Sequence, residues 1–298
     1  MKTMLLIYNP HSGKGKIASR LAGIVDVMSH NGWLVTVYPT TGKGDATITA
    51  AELGAHYDRV VCCGGDGTLN ETVAGLLALH RPPLLGYVPS GTTNDFSRNL
   101  ALPRNMLSSA AVAAGGYPKA CDIGRFNDRV FVYVAAFGAF TDESYNTPQE
   151  FKNMFGHLAY LLEGASHIAS LKSYDLTIEH DGQIIEGRFL YGMVSNTISV
   201  GGFRTLPSAK VKLDDGLFEV VLVREPKTPA DLQGILRALV NQNAEESRGA
   251  ILSFHTKHLR VTSPAPLPWT LDGEYGGDPT VAEIDNHQQA ISILCGKP

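Results

Sequence analysis

Short apolar segments alternate with stretches of helical periodicity through the first third of the chain, and no other feature of the sequence limits the fold as much. The apolar segments cover residues 4–8, 33–38, 60–63 and 84–88. The helical patterns cover residues 16–29, 45–55 and 69–79. Strands that are apolar throughout are buried on both faces, so the pattern predicts a doubly wound parallel sheet covered by helices on both sides.

A polar, glycine-rich loop follows each of these predicted strands. The loops read NPHSGKG at 9–15, TTGKGDA at 40–46, GGDGT at 64–68 and PSGTTND at 89–95. The carboxyl ends of parallel strands lie at one edge of a sheet, and ligands of open α/β sheets bind at that edge. The four loops therefore predict a single binding site.

The second half of the chain has the pattern of an antiparallel sheet or sandwich. Predicted strands cover 129–137, 174–180, 184–194, 217–223, 257–263 and 289–295, and predicted helices cover 153–171 and 229–242. Hairpin turns are expected at Asn127-Asp128 and Asp181-Gly182. With 298 residues, two domains are expected. We place them at 1–122 and 123–298, with the possibility that the last strand returns towards the first domain.

Charge and cysteine content exclude several classes of protein. The net charge is −4 and no polybasic run occurs, so duplex nucleic acid is not an expected partner. The four cysteines lack zinc-site spacing and follow no secretory segment, which predicts a reduced, cytoplasmic protein. No apolar run is long enough to span a bilayer, so any membrane contact is expected to be peripheral.

The first glycine loop is ambiguous. Residues Gly13 to Ala18 fit the dinucleotide pattern G-x-G-x-x-A between a strand and a helix. That pattern also needs an acid after the second strand, where this chain has Tyr38-Pro39-Thr40-Thr41. The loop does not fit a Walker A motif either. A plain glycine-rich turn and a weak dinucleotide site both stay open.

Asp66 stands among three glycines, and two interpretations compete. Glycines let backbone N–H groups approach phosphate oxygens, and an aspartate beside phosphate needs a cation between them. Asp66 would then be linked to Mg²⁺ beside a polyphosphate. Alternatively, Asp66 is the N-cap of the next helix, for which Thr68 is an equally good candidate. The triple glycine favours phosphate.

The ordered set of motifs resembles the lipid kinases related to diacylglycerol, sphingosine and ceramide kinases. GGDGT is the shared signature, and NPHSGKG is similar to the NPxSG loop of these lipid kinases. The other matching segments are Thr40 with GDA at 44–46, GTTNDF at 91–96, CDIGRFN at 121–127, DDGLFEV at 214–220 and LDGEY at 271–275. The soluble bacterial diacylglycerol kinase-like group is the most similar. The resemblance implies a nucleotide-binding α/β domain followed by a β-sandwich domain.

The resemblance also implies a site. The residues expected to bind ATP are Asn9, Pro10, Ser12, Gly13, Lys14, Gly15, Thr40, Cys62, Cys63, Gly64, Gly65, Asp66, Gly67, Thr68 and Thr92. No role is assigned to the thiols of Cys62 and Cys63. A second, structural Mg²⁺ would be held by Asp215 and by the backbone oxygens of Lys212 and Leu217. From the residues alone, Asp215-Gly216 is a turn, and the adjacent Asp214 is an alternative ligand.

Glu274 is the expected base. It follows Asp272-Gly273 after an apolar run, and the family uses this glutamate to take the proton of the lipid hydroxyl. Together with Asp66 it forms the predicted catalytic pair, and the two halves of the chain would meet across one cleft. Without the resemblance, a solvated hairpin acid would be the simpler interpretation of Glu274.

The sequence thus predicts an ATP- and Mg²⁺-dependent kinase that converts diacylglycerol to phosphatidic acid at the membrane surface. The alternatives are a kinase of another lipid alcohol, such as a sphingoid base or phosphatidylglycerol, and a non-catalytic nucleotide-binding regulator. A NAD kinase and an NAD(P)-dependent oxidoreductase fit less well. A homodimer is left open.

Overall fold

The computed structural model describes residues 1–15, 17–92, 94–138, 172–197, 199–200, 203–204, 212–241, 247 and 249–296. The chain forms two compact units. The first comprises Met1–Ile123 with Gln288–Pro298, and the second comprises Gly124–His287. The predicted helix at 153–171 lies outside the described residues.

The first unit is a doubly wound α/β unit. Its strands are β1 Lys2–Tyr8, β2 Trp33–Pro39, β3 Arg59–Gly64 and β4 Leu84–Pro89, and its helices are α1 Leu21–His30, α2 Asp45–Leu53, α3 Asp66–Leu77, α4 Asp95–Asn99 and α5 Met106–Gly115. The strands are parallel in the order β4-β3-β1-β2. Helices α1 and α5 pack on one face, whereas α2 and α3 pack together on the other. The predicted class is confirmed.

Two helices of this unit begin at other residues than predicted. Helix α1 begins at Leu21 instead of residue 16, because Ser12–Gly15 form a 3₁₀ turn in which Gly13 and Gly15 have positive φ. Helix α3 begins at Asp66, three residues before the predicted start, with Gly65 at the N-cap position. Asp66 is therefore the first residue of the helix, and neither Asp66 nor Thr68 is its N-cap.

Two long strands have residues in both units. They are β5 Tyr117–Phe126 and β17 Val281–Cys295. Within the first unit, Ile293 of β17 pairs in parallel with Leu85 of β4. Within the second unit, the beginning of β17 pairs antiparallel with β14, His258–Thr262.

The second unit is the antiparallel β-sandwich. Its other elements are β6 Arg129–Phe131, β7 Val134–Gly138, β8 Tyr174–His180, β9 Gln183–Ser195, β10 Ser199–Val200, β11 Phe203–Arg204, β12 Phe218–Arg224, α6 Pro229–Asn241, β13 Ile251–Thr256, β15 Trp269–Leu271 and β16 Glu274–Gly277. Both predicted hairpin turns are confirmed, because Phe126 pairs with Arg129 and His180 pairs with Gln183 across two-residue turns. The core contains Phe126 and Phe137, whose rings lie 5.0 and 4.9 Å from that of Trp269.

Two strand predictions in the second half of the chain were wrong in extent, and several strands of this unit were not predicted. The single strand predicted at 129–137 is interrupted between β6 and β7, because the N–H groups of Val132 and Tyr133 donate to the carboxylate of Asp272. Strands β13, β15 and β16 were not predicted. The strand predicted at 289–295 begins eight residues earlier, at Val281.

Candidate functional site

In the first unit, the loops after β1, β3 and β4 contact one another. The side-chain amide of Asn9 donates to Thr68 Oγ1 at 3.3 Å, and the N–H of Asn9 donates to the carbonyl of Cys63 at 3.0 Å. Ser90 donates its hydroxyl to that of Ser12 at 2.9 Å, and both side chains are buried. The structure therefore brings together the loops that the sequence placed at one sheet edge.

The glycines of these loops are needed for packing between the loops themselves. A Cβ on Gly13 would lie 2.0 Å from the carbonyl oxygen of Ser90. A Cβ on Gly91 would lie 2.6 Å from Cα of Gly65, and one on Gly65 would lie 3.3 Å from Cα of Gly91. Backbone approaches backbone at both places, and a side chain at any of these three glycines would separate the loops.

Asp66 contacts a second carboxylate residue that sequence reasoning did not select. Oδ2 of Asp66 accepts the N–H of Asp95 at 3.1 Å, and Asp95 is 3% exposed. Arg98 lies 3.8 Å from the Asp95 carboxylate. Asp95 belongs to the GTTND loop, so the motif contained the signal although the residue was not chosen. Two acids at the beginnings of α3 and α4 are an oxygen-rich pair of the kind that Mg²⁺ prefers.

The remaining predicted nucleotide residues of the first unit lie on the same loops or beside them. Thr40 follows β2, is buried, and donates its N–H to the carbonyl of Tyr8 at 2.9 Å. Thr92 is exposed in the loop after β4. Pro10 and Lys14 lie in the turn after β1, Gly64 ends β3, and Gly67 is the second residue of α3.

Cys62 and Cys63 are fully buried strand residues. Burial raises the pKa of the Cys62 thiol to about 12, and it also raises the pKa of Cys63. Both thiols are protonated at neutral pH, so they are inert as nucleophiles. Only the backbone of these two residues, at the end of β3, is suited to a role in the site.

In the second unit, Glu274 lies at the start of β16 on a tightly fixed hairpin. Asp272 and Gly273 form the turn with φ of +51° and +84°, and Leu271 pairs with Glu274. The side chain of Glu274 is exposed. The guanidinium of Arg129 donates to the carbonyl of Tyr275 at 3.1 Å, which holds the next residue of β16.

The buried carboxylate of Asp272 fixes this hairpin. Its Oδ2 accepts the N–H of Val132 at 2.6 Å, and its Oδ1 accepts the N–H groups of Tyr133 and Val134 at 2.9 and 3.1 Å. Asp272 is 5% exposed. Sequence reasoning treated it as a turn residue, and only the LDGE motif gave a signal that could have identified it.

The segment from Lys212 to Leu217 has oxygen atoms that are suited as ligands of a hard cation such as Mg²⁺. Asp215 is exposed, and its Oδ1 accepts the N–H of Leu217 at 3.1 Å. Nearby, Oε2 of the buried Glu219 has no hydrogen-bond partner within the described residues. Burial, with a smaller contribution from the charge of Asp215, raises the pKa of Glu219 to about 7. An unpartnered buried carboxylate oxygen close to a second acid fits a Mg²⁺ site.

Side chains alone do not form a metal centre in the described part of the chain. No group of three or more His, Cys, Asp or Glu residues there is arranged to hold an ion. A site at Asp215 would therefore depend on backbone oxygens such as those of Lys212 and Leu217, as well as on water.

Among the helices in the described part of the chain, none has the length and hydropathy needed to cross a membrane.

Comparison with known proteins assigns both parts of the chain to described domains. Residues 3–126 match the model of the diacylglycerol kinase catalytic domain, and residues 137–295 match the YegS C-terminal NAD kinase beta sandwich-like domain. A diacylglycerol kinase of Bacillus subtilis is 34% identical over 279 residues, covering 93% of this chain and 91% of the relative. One from Staphylococcus aureus is 36% identical over 278 residues, covering 93% of this chain and 87% of the relative.

A solved structure agrees with these relatives. A Bacillus anthracis protein assigned to the diacylglycerol kinases superposes with a TM-score of 0.81 at 26% identity, covering 99% of this chain and 95% of the other. The fold and the matched domains define the chain as an enzyme, a lipid kinase. It belongs to the diacylglycerol kinase family. The resemblance inferred from its motifs is confirmed.

Proposed function

We propose that this protein transfers the γ-phosphoryl group of ATP to the hydroxyl of diacylglycerol in a Mg²⁺-dependent reaction. The observation that carries the proposal is the set of contacts at the beginning of α3, where Asp66 accepts the N–H of Asp95, Thr68 accepts the side-chain amide of Asn9, and the backbones of Gly65 and Gly91 approach each other closely. A helix N-terminus with bare N–H groups is suited to phosphate. The relatives named as diacylglycerol kinases support the choice of acceptor.

In this mechanism the residues of the first unit bind and orient ATP. Asn9, Ser12, Gly13 and Gly65 keep the loops in contact, so that their backbone groups are fixed before the nucleotide arrives. Asp66 and Asp95 are the carboxylates that would hold the cation. When bound, Mg²⁺ supplies neutralisation of the charge on the transferring phosphoryl group.

Glu274 acts on the acceptor. Its carboxylate takes the proton from the lipid hydroxyl as the oxygen attacks phosphorus, and the phosphoryl–ADP bond breaks. Because phosphoryl transfer has a loose transition state, orientation of the hydroxyl contributes more than its activation. The fixed turn at Asp272-Gly273 restricts the backbone from which Glu274 extends. The lipid would be reached by contact with the membrane surface.

Transfer of labelled phosphate from ATP to a panel of lipid alcohols tests the proposal. We expect labelled phosphatidic acid, formed only with Mg²⁺, and less product from sphingoid bases and phosphatidylglycerol. If phosphate is transferred to another lipid alcohol instead, that alcohol is the substrate and the proposed acceptor is wrong. Binding of ATP without transfer to any lipid would favour a regulatory protein, and binding of NAD(H) in place of ATP would favour an oxidoreductase.

Glu274→Gln tests the role of the base. The variant keeps the size of the side chain but cannot accept the proton, so kcat should fall by about 10² to 10⁴-fold at saturating ATP while ATP affinity is unchanged. Asp278→Asn, at another exposed acid of the same unit, is the matched control and should keep wild-type kcat. If Glu274→Gln keeps kcat within about threefold of wild type, Glu274 is not the base.

A further inference from the structure

The segment Thr40–Gly44 connects β2 to α2, and a carboxylate holds its beginning. Oδ2 of Asp45 accepts both the N–H and the hydroxyl of Thr41, at 2.7 and 2.9 Å. The hydroxyl of Tyr38 donates to Oδ1 of the same carboxylate at 3.2 Å. The hydrogen bond from the N–H of Thr41 is the largest cause of the lowered pKa of Asp45, and the hydrogen bond from the hydroxyl of Thr41 lowers this pKa as well. Asp45 therefore keeps its charge on this segment at neutral pH.

A second carboxylate, from helix α3, holds the other end of the segment. The N–H of Gly44 donates to Oε1 of Glu71 at 2.8 Å, and the hydroxyl of Thr47 donates to the Glu71 carbonyl at 3.0 Å. Gly44 has a φ of +83° and is the N-cap of α2. The N–H groups at a helix N-terminus have no partner within their own helix, so Glu71 satisfies one that would otherwise depend on water.

The contacts of Glu71 join the segment to α3, the helix that begins at Asp66. Thr40, at the start of the segment, is itself fixed by its N–H bond to Tyr8. Three points of attachment leave the backbone between Thr40 and Gly44 little freedom. A segment that is ordered before the ligand arrives does not lose that conformational entropy on binding, so the affinity is higher.

We infer that Asp45 and Glu71 are positioning residues of the nucleotide site, which act through the segment Thr40–Gly44. The inference rests on the proposed function, because Thr40 is placed in that site by resemblance. Acids this close to a bound polyphosphate would ordinarily repel it. Both carboxylates instead accept backbone N–H groups of the segment, and these bonds partly neutralise their charge.

The test compares steady-state kinetics of Glu71→Ala, Glu71→Gln and Asp45→Ala with wild type. Glu71→Ala removes one charge-assisted hydrogen bond, which corresponds to about a tenfold change, so it should raise KM for ATP about tenfold. Asp45→Ala removes three hydrogen bonds and should raise KM at least as much. The kcat at saturating ATP should stay within about twofold. Glu71→Gln keeps an acceptor oxygen, so its KM should return to within about threefold of wild type. Glu52→Ala, at an exposed acid of α2, is the control and should leave KM unchanged.

Several results would overturn the inference. They are an unchanged KM in Glu71→Ala, a KM in Glu71→Gln as high as in Glu71→Ala, or a fall in kcat or melting temperature without a change in KM. If Glu71→Ala does not fold, Asp45→Ala decides the question by the same criterion. If wild type binds no ATP, the proposed function fails. Hydrogen–deuterium exchange at residues 40–45, expected to be faster in both alanine variants, would still show whether the carboxylates hold the segment.

Discussion

Replacing Asp272 by asparagine tests how the hairpin of Glu274 is held. The carboxylate accepts three backbone N–H groups, one through Oδ2 from Val132 and two through Oδ1 from Tyr133 and Val134. Asparagine has the same shape but only one acceptor oxygen. If that oxygen takes the position of Oδ1, the amide NH₂ faces the N–H of Val132, and two donors meet where the wild type has a bond of 2.6 Å.

The magnitude follows from these three bonds. A buried N–H without an acceptor costs about 1–3 kcal/mol, and each of the other two bonds loses about 1 kcal/mol when its acceptor becomes neutral. The free energy of unfolding of the second unit should therefore decrease by about 4 kcal/mol. For a unit of this size, that decrease corresponds to a melting temperature lower by about 8–16 °C.

Thermal unfolding followed by circular dichroism measures the shift. Asp128→Asn changes an exposed acid in the β5–β6 turn of the same unit and should keep the wild-type melting temperature. We also expect kcat of Asp272→Asn to fall although Glu274 is intact, because the turn that carries it is no longer fixed. A melting temperature within about 3 °C of wild type would refute the reasoning, since the three N–H groups would then find other partners at little cost.

Three further perturbations test other parts of the site. Gly65→Val should weaken ATP binding measured by calorimetry, because a Cβ there already lies 3.3 Å from Cα of Gly91. Gly115→Ala, at the end of α5, where a Cβ would meet only Oδ1 of Asn31 at 3.9 Å, is the control, and equal affinities of the two variants would contradict the packing argument. Asp215→Ala should lose the dependence of melting temperature on Mg²⁺ in the absence of ATP, whereas a wild-type response would remove Asp215 from the metal site. When a chelator removes Mg²⁺, the free energy of unfolding of the wild type should fall as the pH rises from about 5 to 7. The reason is that Glu219, whose pKa in the folded protein is raised to about 7, retains a proton that the unfolded chain releases near pH 4.5. Glu219→Gln should abolish that slope, and a slope that persists in the variant would assign it to another group.

Much of the first unit followed from local sequence. Apolar segments of strand length separated by helical periodicity can be buried only as a parallel sheet with helices on both faces, and the observed order β4-β3-β1-β2 has that form. The glycine loops were expected at one edge for the same reason, since the carboxyl ends of parallel strands share it. The hairpin turns at Asn127 and Asp181 followed from residue types that tolerate positive φ.

Tertiary structure alone decided which partners the polar groups have. The segment 129–137 reads as one strand, yet it breaks at Val132 and Tyr133 because their N–H groups donate to Asp272, a residue about 140 positions away. The contact of Asp66 with Asp95, and that of Glu71 with Gly44, likewise join separate loops and helices. Periodicity and residue type report the conformation and burial of a segment, which are local properties. A buried carboxylate can be satisfied by any N–H that folding brings near it, and only the assembled chain selects which one.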